Sequence, residues 1–155
     1  MVVWGGVGGS YHYVNVGGRY HPMTDGWVPT GNTPTPRSRH AAVWTGAEMI
    51  IRGGTAVVSG ILYADTGGKY DPSKDSWAPT TTASAPTGGE LPTAVWTGTE
   101  MIVWGGYSYD GANHELNTGG KYNPGTNNWI ATSTTNVPAG RDTHGAVWTG
   151  SEMIV

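Results

Sequence analysis

The sequence predicts an all-β fold assembled from repeated units, and three observations carry that prediction. The 155 residues include 26 Gly and 10 Pro, and only 12% are charged. Gly and Pro punctuate turns, whereas the β-branched and aromatic residues between them suit pleated strands. The aromatic set is 8 Trp and 8 Tyr with no Phe, a bias that fixed Trp and Tyr positions in a repeat produce. Above all, one set of landmarks returns three times at intervals of about 50 residues, the signature of a repeat architecture.

The landmarks run in a constant order. A double glycine ends VWGG, IRGG and VWGG, as Gly5 and Gly6, Gly53 and Gly54, and Gly105 and Gly106. Then come GGRYHP, GGKYDP and GGKYNP, which carry Tyr20, Tyr70 and Tyr122. A tryptophan follows each, as Trp27, Trp77 and Trp129. Last is AVWTG at 42–46, 94–98 and 146–150, leading into Glu48-Met49-Ile50, Glu100-Met101-Ile102 and Glu152-Met153-Ile154. Alternation in Ala42-Val43-Trp44-Thr45 suits a strand with two contacting faces. The TGAE, TGTE and TGSE links read as hairpin turns with Gly free to take a positive φ. Double glycines at a strand end allow a close backbone approach that a Cβ would block. The recurring Glu48, Glu100 and Glu152 are expected to accept backbone N–H bonds of the adjacent turn.

A double glycine, a downstream Tyr and then a Trp, repeated at this period over the whole chain, resembles the kelch repeat. The resemblance implies a kelch-type β-propeller, in which each repeat is a four-stranded antiparallel blade set radially around a channel. It places the innermost strand at HAAVWTG (40–46), the second at EMIIRGG (48–54), the third around GGKYDP (67–72) and the outermost around DSWAPT (75–80). The chain then holds three blades' worth of strands: residues 1–30 form the second to fourth strands of a composite blade, 38–80 and 91–132 are whole blades, and 141–155 supplies an inner strand.

Three blades are too few to close a ring, since propellers have about 4–8. Two copies joined head to tail would make a six-bladed ring with two-fold symmetry, each composite blade closed in trans. The expected partner is therefore a second copy of the chain. Met1–Val3 and Met153–Val155 share one repeat phase and compete for a single strand position, so one of them is expected to be displaced. This redundancy reads as a fragment or an engineered half-ring.

Functional candidates fall into two groups. The dissimilar links VGGSYHYVNV (7–16), TAVVSGILYADT (55–66) and YSYDGANHELNT (107–118) carry Tyr63, Asp65, Tyr107, Tyr109, Asp110, His114 and Glu115. Tyrosines with a few acids suit a polar ligand, a carbohydrate or a protein surface, and the bland alternative is solvated loops. At the start of the inner strand, Arg37-Ser38-Arg39-His40 aligns with Arg141-Asp142-Thr143-His144, whereas the middle repeat has Gly89-Glu90-Leu91-Pro92. In kelch proteins Arg and His here bond neighbouring backbone and line the channel mouth. Arg37, His40, Glu90, Arg141 and His144 would form a charge-alternating pocket in a dimer. Arg52 replaces the Trp found at 4 and 104, with no functional account from the sequence.

Enzyme templates do not fit. The five His lack a metal-ligand spacing such as HExxH, and with no Cys there is no thiolate site. WGGVGG is not followed by a helix, so it is no phosphate loop. Galactose oxidase, a kelch enzyme, needs a copper site with a Tyr–Cys cofactor, which this chain lacks the residues to make. A piece of a bacterial kelch-type carbohydrate enzyme, such as a sialic acid epimerase, stands as the alternative to a non-enzymatic scaffold without a cofactor. A net charge of −3 and no basic run argue against nucleic acid. No stretch reaches the roughly 18 apolar residues of a membrane helix, and the start has no signal-peptide pattern. The expectation is a soluble protein of undefined compartment.

Overall fold

The computed structural model describes residues 1–31, 33–57, 61–109 and 112–155 and, of residues 61 and 62, the backbone alone. The described residues form an all-β protein of several antiparallel sheets. The first sheet joins β1 (Val2–Trp4), β2 (Gly17–His21) and β3 (Gly26–Pro29) in that order. A short β4 (Arg37–Ser38) precedes β5 (Ala41–Trp44) and β6 (Met49–Arg52). A hairpin of β7 (Thr55–Val57) and β8 (Ile61–Tyr63) intervenes, and then come β9 (Gly67–Asp71) and β10 (Ser76–Pro79). The second sheet has the order β10-β9-β6-β5, and β4 pairs with β7 beside it.

The third sheet repeats the second. It contains β11 (Thr93–Trp96) and β12 (Met101–Trp104), then, after a hairpin of β13 (Tyr107–Tyr109) and β14 (Asn113–Glu115), β15 (Gly119–Asn123) and β16 (Asn128–Ala131). Its order is β11-β12-β15-β16, and the chain ends in a separate hairpin of β17 (Val147–Trp148) and β18 (Met153–Ile154). The sheets do not close on themselves. No helix among the described residues is long and apolar enough to cross a membrane.

Register explains why the landmarks recur. Met49 lies beside Tyr70, and Tyr70 beside Trp77; Met101, Tyr122 and Trp129 repeat that row. Each Tyr hydroxyl donates to a side-chain oxygen five residues on: Tyr20 to Asp25 at 2.7 Å, Tyr70 to Asp75 at 2.5 Å and Tyr122 to Asn127 at 2.7 Å. Tyr70 and Tyr122 are fully buried, and burial pushes both phenols up to about 12. The apolar core lies between sheets. Trp4, Met49, Ile51 and Tyr70 join the first to the second, whereas Ala41, Val43, Ile50, Met101, Val103, Tyr122 and Trp129 join the second to the third.

The hairpin turns hold a correction. Gly46, Gly98 and Gly150 take positive φ as expected. The turn is fastened not by the Glu carboxylates but by the preceding threonine, whose hydroxyl accepts the N–H of Glu48, Glu100 or Glu152 at 2.9–3.0 Å. The Glu contributes its backbone carbonyl, which accepts the Thr N–H at 2.9–3.0 Å. A hydroxyl on the turn reaches that N–H through a short local loop, as in other Ser/Thr turns.

The two chain ends occupy separate sheets. Met1–Val3 and Met153–Val155 do not displace one another within one chain: Val2–Trp4 pairs with Gly17–Arg19, and Met153–Ile154 pairs with Val147–Trp148. The inner edge of β1 therefore has no neighbouring strand among the described residues. A groove of about 530 Å³ lined by Met1, Val2, Ala42, Val43, Trp44 and Met49 lies beside it.

Candidate functional site

The link segments meet at one end of the sheets. The polypeptide here is not the set of plain loops the sequence suggests. Residues 55–57 and 61–63 pair as one hairpin, and 107–109 and 113–115 as another. The first link instead makes a 3-10 turn at Gly9–Tyr11 and a single bridge between Val7 and Tyr13.

Glu90 is the centre of this end. Its backbone N–H and C=O exchange bonds with Tyr107 at 2.9 and 2.8 Å, which ties it to the third sheet's hairpin. Its carboxylate, 8% exposed, accepts two bonds from Arg39 at 3.0 and 2.9 Å and one from the Thr55 hydroxyl. A buried carboxylate needs such partners, because desolvation without them is costly. Arg39 is itself largely exposed, and the carboxylate raises its pKa. Around this pair, Tyr63 and Tyr107 stand with ring centroids 5.9 Å apart. Burial pushes the Tyr107 phenol up, and the neighbouring Tyr63, Glu90, Glu115 and Asp142 act in the same direction. The arrangement offers phenol edges, a guanidinium and carboxylates at one surface, groups suited to hydrogen-bonding a polar ligand.

The other candidates divide. Tyr109, Asp65 and Glu115 are exposed and His114 is half-buried. The Asp65 carbonyl is used internally, accepting from Arg52. Asp110 lies outside the described residues. Arg37 is not a free ligand-binding cation. It is 1% exposed and donates to the carbonyls of Gly53 and Thr66 at 3.1 and 2.9 Å, and to the Thr66 hydroxyl at 2.9 Å. Burial lowers its pKa. Arg141, at the same repeat position, is exposed, and its Nε donates to the Ala139 carbonyl at 3.2 Å.

The two histidines sit edge-on to tryptophans rather than at an open mouth. His40 meets Trp4 with centroids 5.5 Å apart, and His144 meets Trp104 at 5.4 Å. Burial, aided by Arg37, lowers His40 to about 4. His144 is lowered by burial and by Arg141, and its Nε2 lies 2.8 Å from the Thr93 hydroxyl. Both imidazoles are thus neutral packing groups near pH 7.

Two residues that sequence reasoning did not place prove central here. Arg39 supplies the counter-charge to Glu90, from 51 residues away. Arg52, 2% exposed, lies over the Trp129 ring at 5.2 Å and donates to the carbonyls of Asp65 and Pro86. Burial lowers its pKa to about 10. The available signal was comparative: each is a charge that breaks the repeat pattern, and each is answered by another departure one repeat later. Among the described residues, no group of His, Asp and Glu gathers to hold a metal.

No family model and no curated protein matches the chain. Among solved structures it is similar in fold to that of YjhT, with a TM-score of 0.75 and 16% identity, over 94% of this chain and 52% of that one. The chain thus spans about half the length of that neighbour. At this identity the likeness carries the fold alone.

Proposed function

We propose that the chain is half of a kelch-type β-propeller, completed by a second copy into a six-bladed ring, and that the ring is a non-enzymatic scaffold whose hairpin-bearing end binds a polar ligand or protein. The observation that carries this reading is the pair of incomplete sheets at the two ends of the chain. β1, β2 and β3 lack an inner strand, and β17 is an inner-type strand in a two-stranded hairpin of its own. Both are edges with unpaired backbone groups, which favour pairing with another chain. The groove beside Met1 and Val2 lies where the missing strand would run.

Two further points support it. A compact monomer of 16.3 kDa would expose about 7,500 Å², whereas this chain exposes 8342 Å². Two copies would also span a chain of the length of the YjhT structure. The binding role rests on the Arg39–Glu90 pair and the tyrosines around it, held by hairpins on a rigid scaffold.

Light scattering under native conditions tests the assembly, with a mass of about twice 16.3 kDa expected. A monomer across the accessible concentration range would overturn it. A glycan and peptide array probed with the dimer tests the binding role, which complete silence would remove.

A further inference from the structure

Within the chain, neighbouring sheets are joined by contacts that repeat residue for residue. The Trp of each later sheet packs on the residue after β1 position Val3 or its equivalent in the earlier one: Trp77 on Trp4 at 5.0 Å, Trp129 on Arg52 at 5.2 Å. A basic side chain of the earlier sheet donates to a proline carbonyl of the later: Arg19 to Pro72, and Lys69 to Pro124 at 3.1 Å. A backbone N–H after the earlier sheet donates to a side chain in the later: Gly31 to Asp75 at 3.3 Å, Thr81 to Asn127 at 3.0 Å. A proline of the connecting link lies against a glycine of the later sheet: Pro34 against Gly68, Pro86 against Gly120.

Each relation has one unused half at either end of the chain. Trp104, Lys121, Ser133 and Pro138 stand in the earlier-sheet roles, and Trp27, Pro22, Asp25 and Gly18 in the later-sheet roles. On the first sheet exposure follows the same division, whereas Trp104 on the third is already only 6% exposed, beneath His144. Trp27 is 55% exposed, whereas Trp129 is 2%. Val3 is 48% exposed, whereas its equivalents Ile51 and Val103 are 0% and 4%. The first sheet is thus built for a neighbour that the chain does not itself supply, and the third sheet carries the matching groups.

We infer that the face of the first sheet bearing Trp27 packs on the face of the third sheet of a second copy, by the same four contacts that operate within the chain. Trp27 seats beside the second copy's Trp104, Lys121 donates to the Pro22 carbonyl, the Ser133 N–H meets Asp25, and Pro138 covers Gly18. This rests on the half-ring reading and specifies which surfaces meet and in what register. The occupant proposed is a second copy, because this chain carries both half-sets and a two-fold pair of it satisfies both faces at once.

The chain has no Cys, so an engineered pair reports without background. The double variant Asp25→Cys with Ser133→Cys, oxidised at low concentration, is expected to run as a disulfide-linked dimer that reduction returns to single chains. Trp27→Ala and Lys121→Glu are each expected to weaken the dimer at least tenfold in analytical ultracentrifugation, with an unchanged circular dichroism spectrum. A native dimer that neither cross-links nor responds to these two substitutions would overturn the assigned faces and leave the half-ring reading standing. A monomer in every variant and in the parent would overturn both.

Discussion

Arg52 offers the sharpest test of how the sheets hold together. Its guanidinium is buried between the second and third sheets, over the face of Trp129 and within reach of the Asp65 and Pro86 carbonyls. Truncation to Ala removes a desolvated cation–π contact of about 1–2 kcal/mol. It also removes two charged hydrogen bonds of about 1.5 kcal/mol each and leaves their acceptors buried. The expected loss is about 4 kcal/mol, a large part of the roughly 5–15 kcal/mol that holds a domain together. Arg52→Trp should behave differently. Trp4 at the same repeat position donates its Nε1 to the Asn15 carbonyl at 2.9 Å, and Asn15 is the counterpart of Asp65. A Trp at 52 therefore retains the Asp65 acceptor and an aromatic contact with Trp129, at an overpacking cost of about 1–2 kcal/mol. Urea unfolding followed by tryptophan fluorescence measures both, at one fixed protein concentration so that assembly does not bias the comparison. Arg52→Ala falling within about 1 kcal/mol of the parent, on the scale of an ordinary surface change, would refute the argument that this cation is an inter-sheet tie.

Three other outcomes follow from the same structure. His40 is held to about 4 when folded against about 6.5 unfolded, so the unfolded chain binds more protons between those values and stability falls as pH drops from 6.5 towards 4. The loss is at most about 3 kcal/mol, and His40→Gln should flatten that part of a pH–stability curve measured by urea titration. Glu90→Ala strands the Thr55 hydroxyl and should cost about 1–2 kcal/mol, whereas Arg39→Ala leaves the buried Glu90 carboxylate without its counter-charge and should cost more, about 3 kcal/mol, by thermal melting. Gly54→Ala would put a Cβ 2.4 Å from the Ser38 carbonyl oxygen at φ +95° and should cost more than about 3 kcal/mol. Gly6→Ala meets nothing within 4 Å, so in the single chain it should cost only the backbone strain of about 1–2 kcal/mol.

The strand plan was legible because every element is marked three times. A strand end flagged by two glycines, a Tyr opposite a Met and a Trp opposite that Tyr leave one consistent register. The pairing of 107–109 with 113–115 was not legible, since the Ser, Asp, Gly, Asn and His around its tyrosines hide any apolar alternation. That of 55–57 with 61–63 was marked by apolar runs on either side of Ser59-Gly60, a signal that reading 55–66 as a plain link misses. Glu90 could be flagged as an anomaly, but its partner could not be chosen from sequence, because Arg37 and Arg39 lie two residues apart and point to different surroundings. Arg37 turns inward to the carbonyls of the following strand ends, and Arg39 turns outward to the carboxylate.

Arg37 and Arg141 show why site residues are hard to assign from half of an assembly. By sequence they are equivalent cations at the start of an inner strand, and both look available to a ligand. Arg37 is buried because the second sheet follows it and presents the Gly53 and Thr66 carbonyls. Arg141 is exposed because, among the described residues, only the β17–β18 hairpin follows it, with no counterpart of the Gly53 and Thr66 carbonyls. On the half-ring reading, the counterparts of Gly53 and Thr66 are Gly5 and Val16 of the second copy, whose carbonyls would receive Arg141 as Gly53 and Thr66 receive Arg37. Its exposure is then a sign of an unmade joint rather than of a binding residue. The Arg39–Glu90 pair stands apart from this: Asp142 repeats the carboxylate, but no other repeat has an Arg at the Arg39 position, so a ring has two such pairs and four positions without them. A feature present in every repeat serves the joint between sheets; a feature confined to one repeat, satisfied by its own neighbours and open to solvent on one side, is where a ligand would find something to recognise.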